Sequence, residues 1–279
     1  MLADWWQYDF LRYTLFSGVL IGLICPILGT FLIVRRLSMM ADGLSHVTLS
    51  GVAAGMVLSK KVALFSAVNP LFFGMLFSVI GSLFIERLRK VFRSHQDLAI
   101  PIILSTGLGL FTVLISIAQG FNADLYSYLF GKIVTVTKED LYALIGVSLV
   151  VLGTVFLIYK ELFAVSFDEE FARVSGVSRR VINLWFMVLV ALTIAASMRI
   201  VGVLLISALI TLPVAASLQI SGSFRQTILF SILFAEISVL GGLYFAYLFD
   251  WASGGTIVLM AVLILLVVLA VKKLRALFR

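Results

Sequence analysis

The sequence contains few charged residues. Asp, Glu, Lys and Arg make up 13% of its 279 residues, whereas apolar side chains make up 62% and the mean hydropathy is +1.16. A soluble globular domain is nearer one quarter charged and one half apolar. A water-soluble fold of this composition would expose large apolar patches. The composition therefore excludes a soluble protein and indicates lipid as the solvent.

Several motifs needed for common chemistries are also missing. The sequence has no G-x-x-x-x-G-K-[ST] phosphate loop, so the chain does not bind ATP in that manner. It has no H-E-x-x-H and no G-x-S-x-G motif, the usual signals of an intramembrane protease or a hydrolase. Two histidines and the single Cys25 are too few for a closed zinc site, for haem ligation or for a disulfide framework. We therefore expect no enzyme activity and no permanently bound cofactor.

The sequence has instead a succession of apolar runs, most of them near the roughly 20 residues that cross the hydrocarbon core of a membrane. We expect one all-α, polytopic transmembrane domain over residues 1–279, with eight or nine membrane-spanning helices. All four prolines lie within or at the edge of these runs and predict broken helices, with a simple packing kink as the alternative at any single proline. The runs occupy residues 13–34, 41–59, 62–85, 98–119, 139–159, 181–198, 200–220, 226–249 and 254–271.

The first residues are typical of a segment at the membrane interface. Residues 1–12 carry Trp5, Trp6 and Tyr8 together with Asp4 and Asp9. Aromatic side chains of this kind are enriched at headgroup level. The segment lacks the basic n-region of a cleaved signal peptide, so we expect the mature chain to start near its first residue.

The net charge of +7 raises the question of nucleic-acid binding. Lys and Arg, however, cluster in short segments between the apolar runs, as the positive-inside rule expects, which argues against a nucleic-acid partner. The basic segments at 86–93, 160–180 and 272–279 are expected to be cytoplasmic, and an even number of runs separates each pair. Near the start, Arg35 with Arg36 and Lys60 with Lys61 favour opposite orientations, and the side of the N-terminus stays open.

Residues 35–46, with the sequence RRLSMMADGLSH, contain the pair of side chains best suited to chemistry. Asp42 and His46 are four residues apart, so on a helix their side chains are neighbours on one face. A carboxylate with an imidazole suits zinc or manganese, and an ionisable side chain at membrane depth indicates function. The structural alternative makes Asp42 a helix N-cap and lets His46 bond to a neighbouring carbonyl. The residues alone leave both interpretations open.

Glu236 is a lone carboxylate within the run 226–249. An unpaired charge in lipid is costly, so this side chain either hydrogen-bonds to a neighbouring helix or lines a polar permeation route. The second histidine, His95, follows the basic segment 86–93. We expect it to be a solvated loop residue.

Residues 167–180 predict a short polar helix on the cytoplasmic side. Acidic residues begin it and basic residues end it, as the helix dipole favours, and Gly176 is a natural stop. Phe167, Phe171 and Val174 would share one face, which suits docking into a groove of a partner. A helix lying on the membrane surface is the alternative.

These segments resemble the membrane permeases of bacterial zinc and manganese ABC importers. The most specific match is residues 32–55, where the family has an Asp and a His four residues apart, usually followed by Pro-Gly. Here Ser50 precedes Gly51, which removes one helix break and leaves the ligand positions intact. Before the similar segment 253–258, Ala252 stands in place of the family's proline. The other similar segments are 130–131, 167–177, 202–216 and 253–258.

The resemblance implies an ABC importer permease fold in the bacterial cell membrane, with two permease copies around a central path. An extracellular or periplasmic metal-binding protein would deliver the ion, and Asp42 and His46 would coordinate or gate it. The sequence of residues 35–42 is closer to that of the zinc branch of the family, so zinc is the expected ion and manganese the next. Two cytoplasmic ATPase subunits would dock onto the segment 160–180, through Phe167, Asp168, Glu169, Phe171, Ala172 and Gly176.

A secondary transporter or cation channel is the alternative function, with Asp42, His46 and Glu236 as a relay. Such transporters usually have more spans or a visible internal repeat, and this sequence shows neither. A membrane-embedded enzyme would need a nucleophile or a third metal ligand near His46, and the sequence offers none.

Overall fold

The computed structural model of the protein describes residues 8–62, 65, 68–92, 95–118 and 123–277. Within these ranges the chain is helical almost throughout, and the all-α prediction is confirmed. Most of the expected interfacial segment at the N-terminus lies outside the described residues. The helices are α1 (Asp9–Val34), α2 (Met39–Lys61), α3 (Pro70–Val91), α4 (Ala99–Ile117), α5 (Ala123–Phe130), α6 (Lys138–Leu157), α7 (Tyr159–Phe167), α8 (Glu169–Val174), α9 (Arg179–Val201), α10 (Ile206–Leu218), α11 (Phe224–Phe249) and α12 (Ser253–Leu277).

Each predicted apolar run corresponds to one of these helices. In the described part of the chain, seven are long and apolar enough to cross a membrane, namely α1, α3, α4, α6, α9, α11 and α12. The two remaining runs form α2, which has 23 residues but carries Asp42 and His46, and α10, which has only 13. The expected all-α, polytopic membrane protein is confirmed, with seven candidate spans and the shorter apolar helix α10 among the described residues.

The helix break before α10 lies at a glycine rather than at a proline. Gly202 follows α9 with a φ of +83°, and a Cβ atom there would lie 2.5 Å from the carbonyl oxygen of Leu129. Pro26 and Pro213, by contrast, lie inside continuous helices. The helix is therefore not broken at these two buried prolines, which leaves the packing-kink alternative for them.

The core is built around α1 and α9. The fully buried Phe31 of α1 meets Phe186 of α9 edge to face, with ring centroids 6.1 Å apart. On another side of the bundle, α2 packs between α3 and α4. The outer faces of the spans expose large apolar side chains such as Leu149 of α6 and Leu259 of α12. These faces suit contact with lipid.

Basic side chains gather at one end of the bundle. A cleft between the end of α3 and the start of α9 is lined by Arg89, Lys90 and Arg179, and a neighbouring cleft adds Arg35 and Arg36. The positive-inside rule assigns this end to the cytoplasm. Residues 86–91 of the basic segment 86–93 form the end of α3, where the helix dipole favours cations.

The opposite end of the bundle contains the start of α1. Thr14 Oγ1 near that start donates a hydrogen bond to the carbonyl oxygen of Ile133, which lies just before α6. Arg35, at the other end of α1, lies in the cytoplasmic cleft. The described chain therefore begins on the non-cytoplasmic side, which the charges near the N-terminus had left open.

Candidate functional site

Asp42 and His46 lie one turn apart on α2, near its cytoplasmic end. The helix begins at Met39, so Asp42 occupies its first turn, where the helix dipole favours a negative charge. The N-cap residue is Ser38, and the N-cap interpretation of Asp42 is therefore wrong. Both Asp42 and His46 are half-buried, which leaves part of each side chain accessible.

The carboxylate of Asp42 faces α10. Ser207 Oγ lies 3.5 Å from Asp42 Oδ1, at the outer limit for a hydrogen bond. Thr211, one turn further along α10, is half-buried like Ser207 and donates its hydroxyl to the carbonyl oxygen of Ser207. Sequence reasoning missed these two hydroxyls. Their spacing of four residues within the apolar run 200–220 is the signal that places them on one face.

The imidazole of His46 has an unused nitrogen. His46 Nδ1 is buried and has no hydrogen-bond partner among the described residues. The backbone here is fixed by α4, because a Cβ atom on Gly107 would lie 3.0 Å from the carbonyl carbon of His46. Ser50 ties the two helices together by donating to the carbonyl oxygen of Gly107 at 2.6 Å. An orphaned buried nitrogen is unfavourable in a purely structural histidine and suits a ligand position.

This pair supplies a carboxylate oxygen and an imidazole nitrogen, which divalent transition metals accept. In the part of the chain that the structure describes, no group of three or more His, Cys, Asp and Glu side chains could hold a metal ion. Closed protein sites for zinc use about four ligands. One copy of the chain therefore offers an open, two-ligand position rather than a closed cage.

Glu236 lies apart from this pair, between α11 and α1. A Cβ atom on Gly22 of α1 would lie only 2.8 Å from Glu236 Oε1, so the carboxylate fills the space that the glycine leaves. α11 packs against α1, α10 and α12. The structure therefore brings Asp42 and His46 together and places Glu236 at a different helix contact.

The segment predicted as one helix over residues 167–180 forms the end of α7 and the separate α8. The division occurs at Asp168, whose backbone is extended and whose side chain accepts a hydrogen bond from the Phe171 N–H at 2.9 Å. Gly176 stops α8 as predicted, with a φ of +81°, and the next N–H bonds to the carbonyl oxygen of Ala172. The side chain of Glu169 lies outside the described residues.

An aromatic groove of about 580 Å³ opens beside α7 at the cytoplasmic end. Phe167 and Phe171 contribute to it and are 57% and 63% exposed, and Val174 is 84% exposed. Phe224, at the start of α11, meets Phe167 edge to face at 5.5 Å between centroids. Ala172 is fully buried, so it anchors α8 to the bundle rather than contacting a partner.

The chain is similar to known proteins along nearly its whole length. The profile of the ABC 3 transport family matches residues 7–272. This chain belongs to the ABC 3 transport family. Its similarity extends to a protein of Treponema pallidum (strain Nichols) named "Probable metal transport system membrane protein", with 36% identity over 95% of this chain and 96% of that protein.

Two further relatives agree with the family assignment. The manganese transport system membrane protein MntC of Listeria monocytogenes is 31% identical over 92% of this chain and 89% of its own length. A solved structure, PsaBC from Streptococcus pneumoniae in complex with Fab, superposes with a TM-score of 0.83 at 29% identity. The superposition covers 96% of this chain and 95% of that one.

The family resemblance found in the sequence is thus confirmed. The chain is the permease subunit of a metal ABC importer, a multi-pass protein of the bacterial cell membrane. It is a transport subunit and not an enzyme, because ATP hydrolysis belongs to a separate subunit of such importers.

Proposed function

We propose that this permease imports divalent manganese along a path between two copies of the chain, with Asp42 and His46 of each copy gating the ion. The observation that carries the proposal is the half-exposed pair on α2, beside the Ser207 hydroxyl, with an unpartnered nitrogen on His46. These are the features of a ligand position that is incomplete in one copy.

A second copy completes the site chemically. Two symmetry-related pairs supply two carboxylates and two imidazoles, a set that manganese and zinc both accept. Each pair alone holds the ion weakly. A path needs binding that is favourable enough for entry and weak enough for release, so opening and closing the gap between the pairs controls passage.

Manganese is the first ion to test because the Listeria relative is named for manganese transport. The zinc preference expected from residues 35–42 finds no support in these comparisons, and zinc becomes the second candidate. A given set of nitrogen and oxygen ligands binds zinc more tightly than manganese. We therefore expect zinc to compete for the manganese path.

Two ATPase subunits dock on the cytoplasmic segment 160–180 in this proposal. The exposed Phe167 and Phe171, beside the aromatic groove, give the apolar anchors that dominate protein interfaces. Asp168 and Gly176 fix the two ends of α8 and so set the direction of the docking face. The metal-binding protein would approach the opposite, non-cytoplasmic end.

The test is uptake of manganese-54 into proteoliposomes that contain the permease, its ATPase subunit and its binding protein. We expect uptake that requires ATP and stops when the ATPase is inactivated by mutation. Uptake that continues undiminished with the inactive ATPase would favour the secondary-transporter alternative. In a parallel arm with zinc-65, accumulation of zinc but not of manganese would change the assigned ion.

A further inference from the structure

Arg35 connects the cytoplasmic helices to the turn that leads into α2. Its guanidinium donates from Nε to Ser166 Oγ at 2.8 Å and from one Nη to the carbonyl oxygen of Leu162 at 3.3 Å, both on α7. The other Nη donates to Asn183 Oδ1 on α9 at 2.9 Å, and the group lies 4.7 Å from the ring centroid of Phe186. One half-buried side chain thus contacts two helices besides its own.

The α7 contacts lie within the docking segment 160–180. Ser166 precedes Phe167, an exposed residue of the aromatic groove, and Asp168 then caps α8. A force on α7 and α8 therefore reaches Arg35 within one or two residues of where a partner would press.

The turn after Arg35 is closed by backbone hydrogen bonds. Arg36 has a φ of +56° and its N–H bonds to the carbonyl oxygen of Ile33, while the Leu37 N–H bonds to that of Leu32 at 2.8 Å. These two hydrogen bonds form a Schellman motif, which closes the end of α1. Only Leu37 and Ser38 follow before α2 begins, and Asp42 lies in its first turn. A displacement of Arg35 should therefore also displace Asp42, because the connection between them is short.

We propose that Arg35 is the positioning residue that transmits movement of the ATPase-docking segment to the metal pair on α2. The inference rests on the proposed function, since it requires that ATPase subunits dock on α7 and α8. Guanidinium suits this role because its planar fork donates in fixed directions and stacks on an aromatic ring, which the lysine ammonium does not reproduce. The contacts hold the end of α1, from which the turn into α2 starts, against α7 and α9.

A merely structural clamp predicts a different outcome from a transmitting one. Loss of a structural clamp lowers the yield and thermal stability of the complex, and the complexes that remain transport normally. Loss of a transmitting contact leaves assembled complexes that hydrolyse ATP without moving metal. The informative quantity is manganese-54 taken up per ATP hydrolysed, measured on intact reconstituted complexes.

The experiment compares Arg35→Gln and Arg35→Lys with the matched control Arg36→Asn. Arg36 is exposed and loses the same charge, and asparagine tolerates its positive φ. We expect Arg35→Gln to lower uptake per ATP by about fivefold or more, the lower limit of common coupling effects, with basal ATP hydrolysis retained. Arg35→Lys should retain only part of the wild-type uptake per ATP, and Arg36→Asn should match the wild type.

A double-mutant cycle locates the contact. If transmission passes through Ser166, Ser166→Ala should lower manganese uptake per ATP in the wild-type background. In the Arg35→Gln background it should lower this uptake little further. A wild-type ratio for Arg35→Gln in assembled complexes would overturn the inference. Failure of the wild-type complex to take up manganese in the same assay would instead count against the proposed function, so the two failures are distinguishable.

Discussion

Ser207 Oγ on α10 lies 3.5 Å from Asp42 Oδ1 on α2, and this contact joins two helices that are far apart in the chain. The position of the hydroxyl depends on the break at Gly202, since α10 starts four residues later. The contact orients the Asp42 carboxylate without neutralising it. It therefore leaves the carboxylate able to bind a cation.

Removal of this hydroxyl should weaken binding of the ion moderately. In Ser207→Ala we expect the manganese concentration for half-maximal uptake to rise about two- to fivefold, because a hydrogen bond contributes roughly 0.5–1 kcal/mol net. The control is Ser217→Ala on the same helix, whose hydroxyl bonds to its own backbone at Val214. Equal effects of both variants would show that the Ser207 hydroxyl makes no specific contribution to the metal site.

The exposed aromatic side chains beside α8 should carry most of the ATPase affinity. Phe167→Ala or Phe171→Ala should weaken co-purification of the ATPase subunit by about tenfold or more, since truncation of a central aromatic anchor commonly costs about 2 kcal/mol. Phe156→Ala removes an 84% exposed aromatic residue from α6 and serves as the control. Reversing the charge of Asp168 and Glu170 should also loosen the complex. Wild-type recovery with all these variants would exclude this docking face.

Arg199 and Asp140 form an ion pair of 2.6 Å, with side chains 15% and 1% exposed, near the non-cytoplasmic end. Replacement of Arg199 by Met should destabilise the protein by about 3–5 kcal/mol, because it leaves a buried carboxylate unpaired. The double variant with Asp140→Asn should lose less than the sum of the two single losses. Thermal unfolding in detergent measures both. Strict additivity would mean that the two side chains are not coupled.

Glu236 should tolerate a neutral replacement of the same shape. Its carboxylate packs against Gly22 of α1, away from Asp42 and His46, so Glu236→Gln should keep manganese uptake within about twofold of wild type. Abolished uptake in a stably folded Glu236→Gln permease would show that this carboxylate acts in transport.

The long spans were predictable because each needs only an apolar run, and every run formed a helix. The pair Asp42 and His46 was predictable from its spacing of four. The positive φ of Gly202 and the short α5 were missed, because they depend on contacts between segments far apart in the chain, such as a Cβ position 2.5 Å from the Leu129 carbonyl oxygen.

The surroundings of the site depend on the same kind of long-range contact. Arg35 was interpreted as a charge that sets orientation and as part of the family motif, whereas its partners Ser166 and Asn183 lie 131 and 148 residues away in the chain. Ser207 likewise lies 165 residues from Asp42. Local spacing reveals neighbours on one helix, but not the partner that another helix brings.

Manganese-54 uptake by Asp42→Ala and His46→Ala, measured in fully assembled, reconstituted complexes, tests whether the metal path runs through this pair. Ser59→Ala, at the far end of α2, is the control. Loss of a direct ligand should lower uptake by about 100-fold or more, since even changes behind the ligands cost about 10–100-fold, while ATPase association stays at the wild-type level. Normal uptake by both variants would contradict a metal path through this pair.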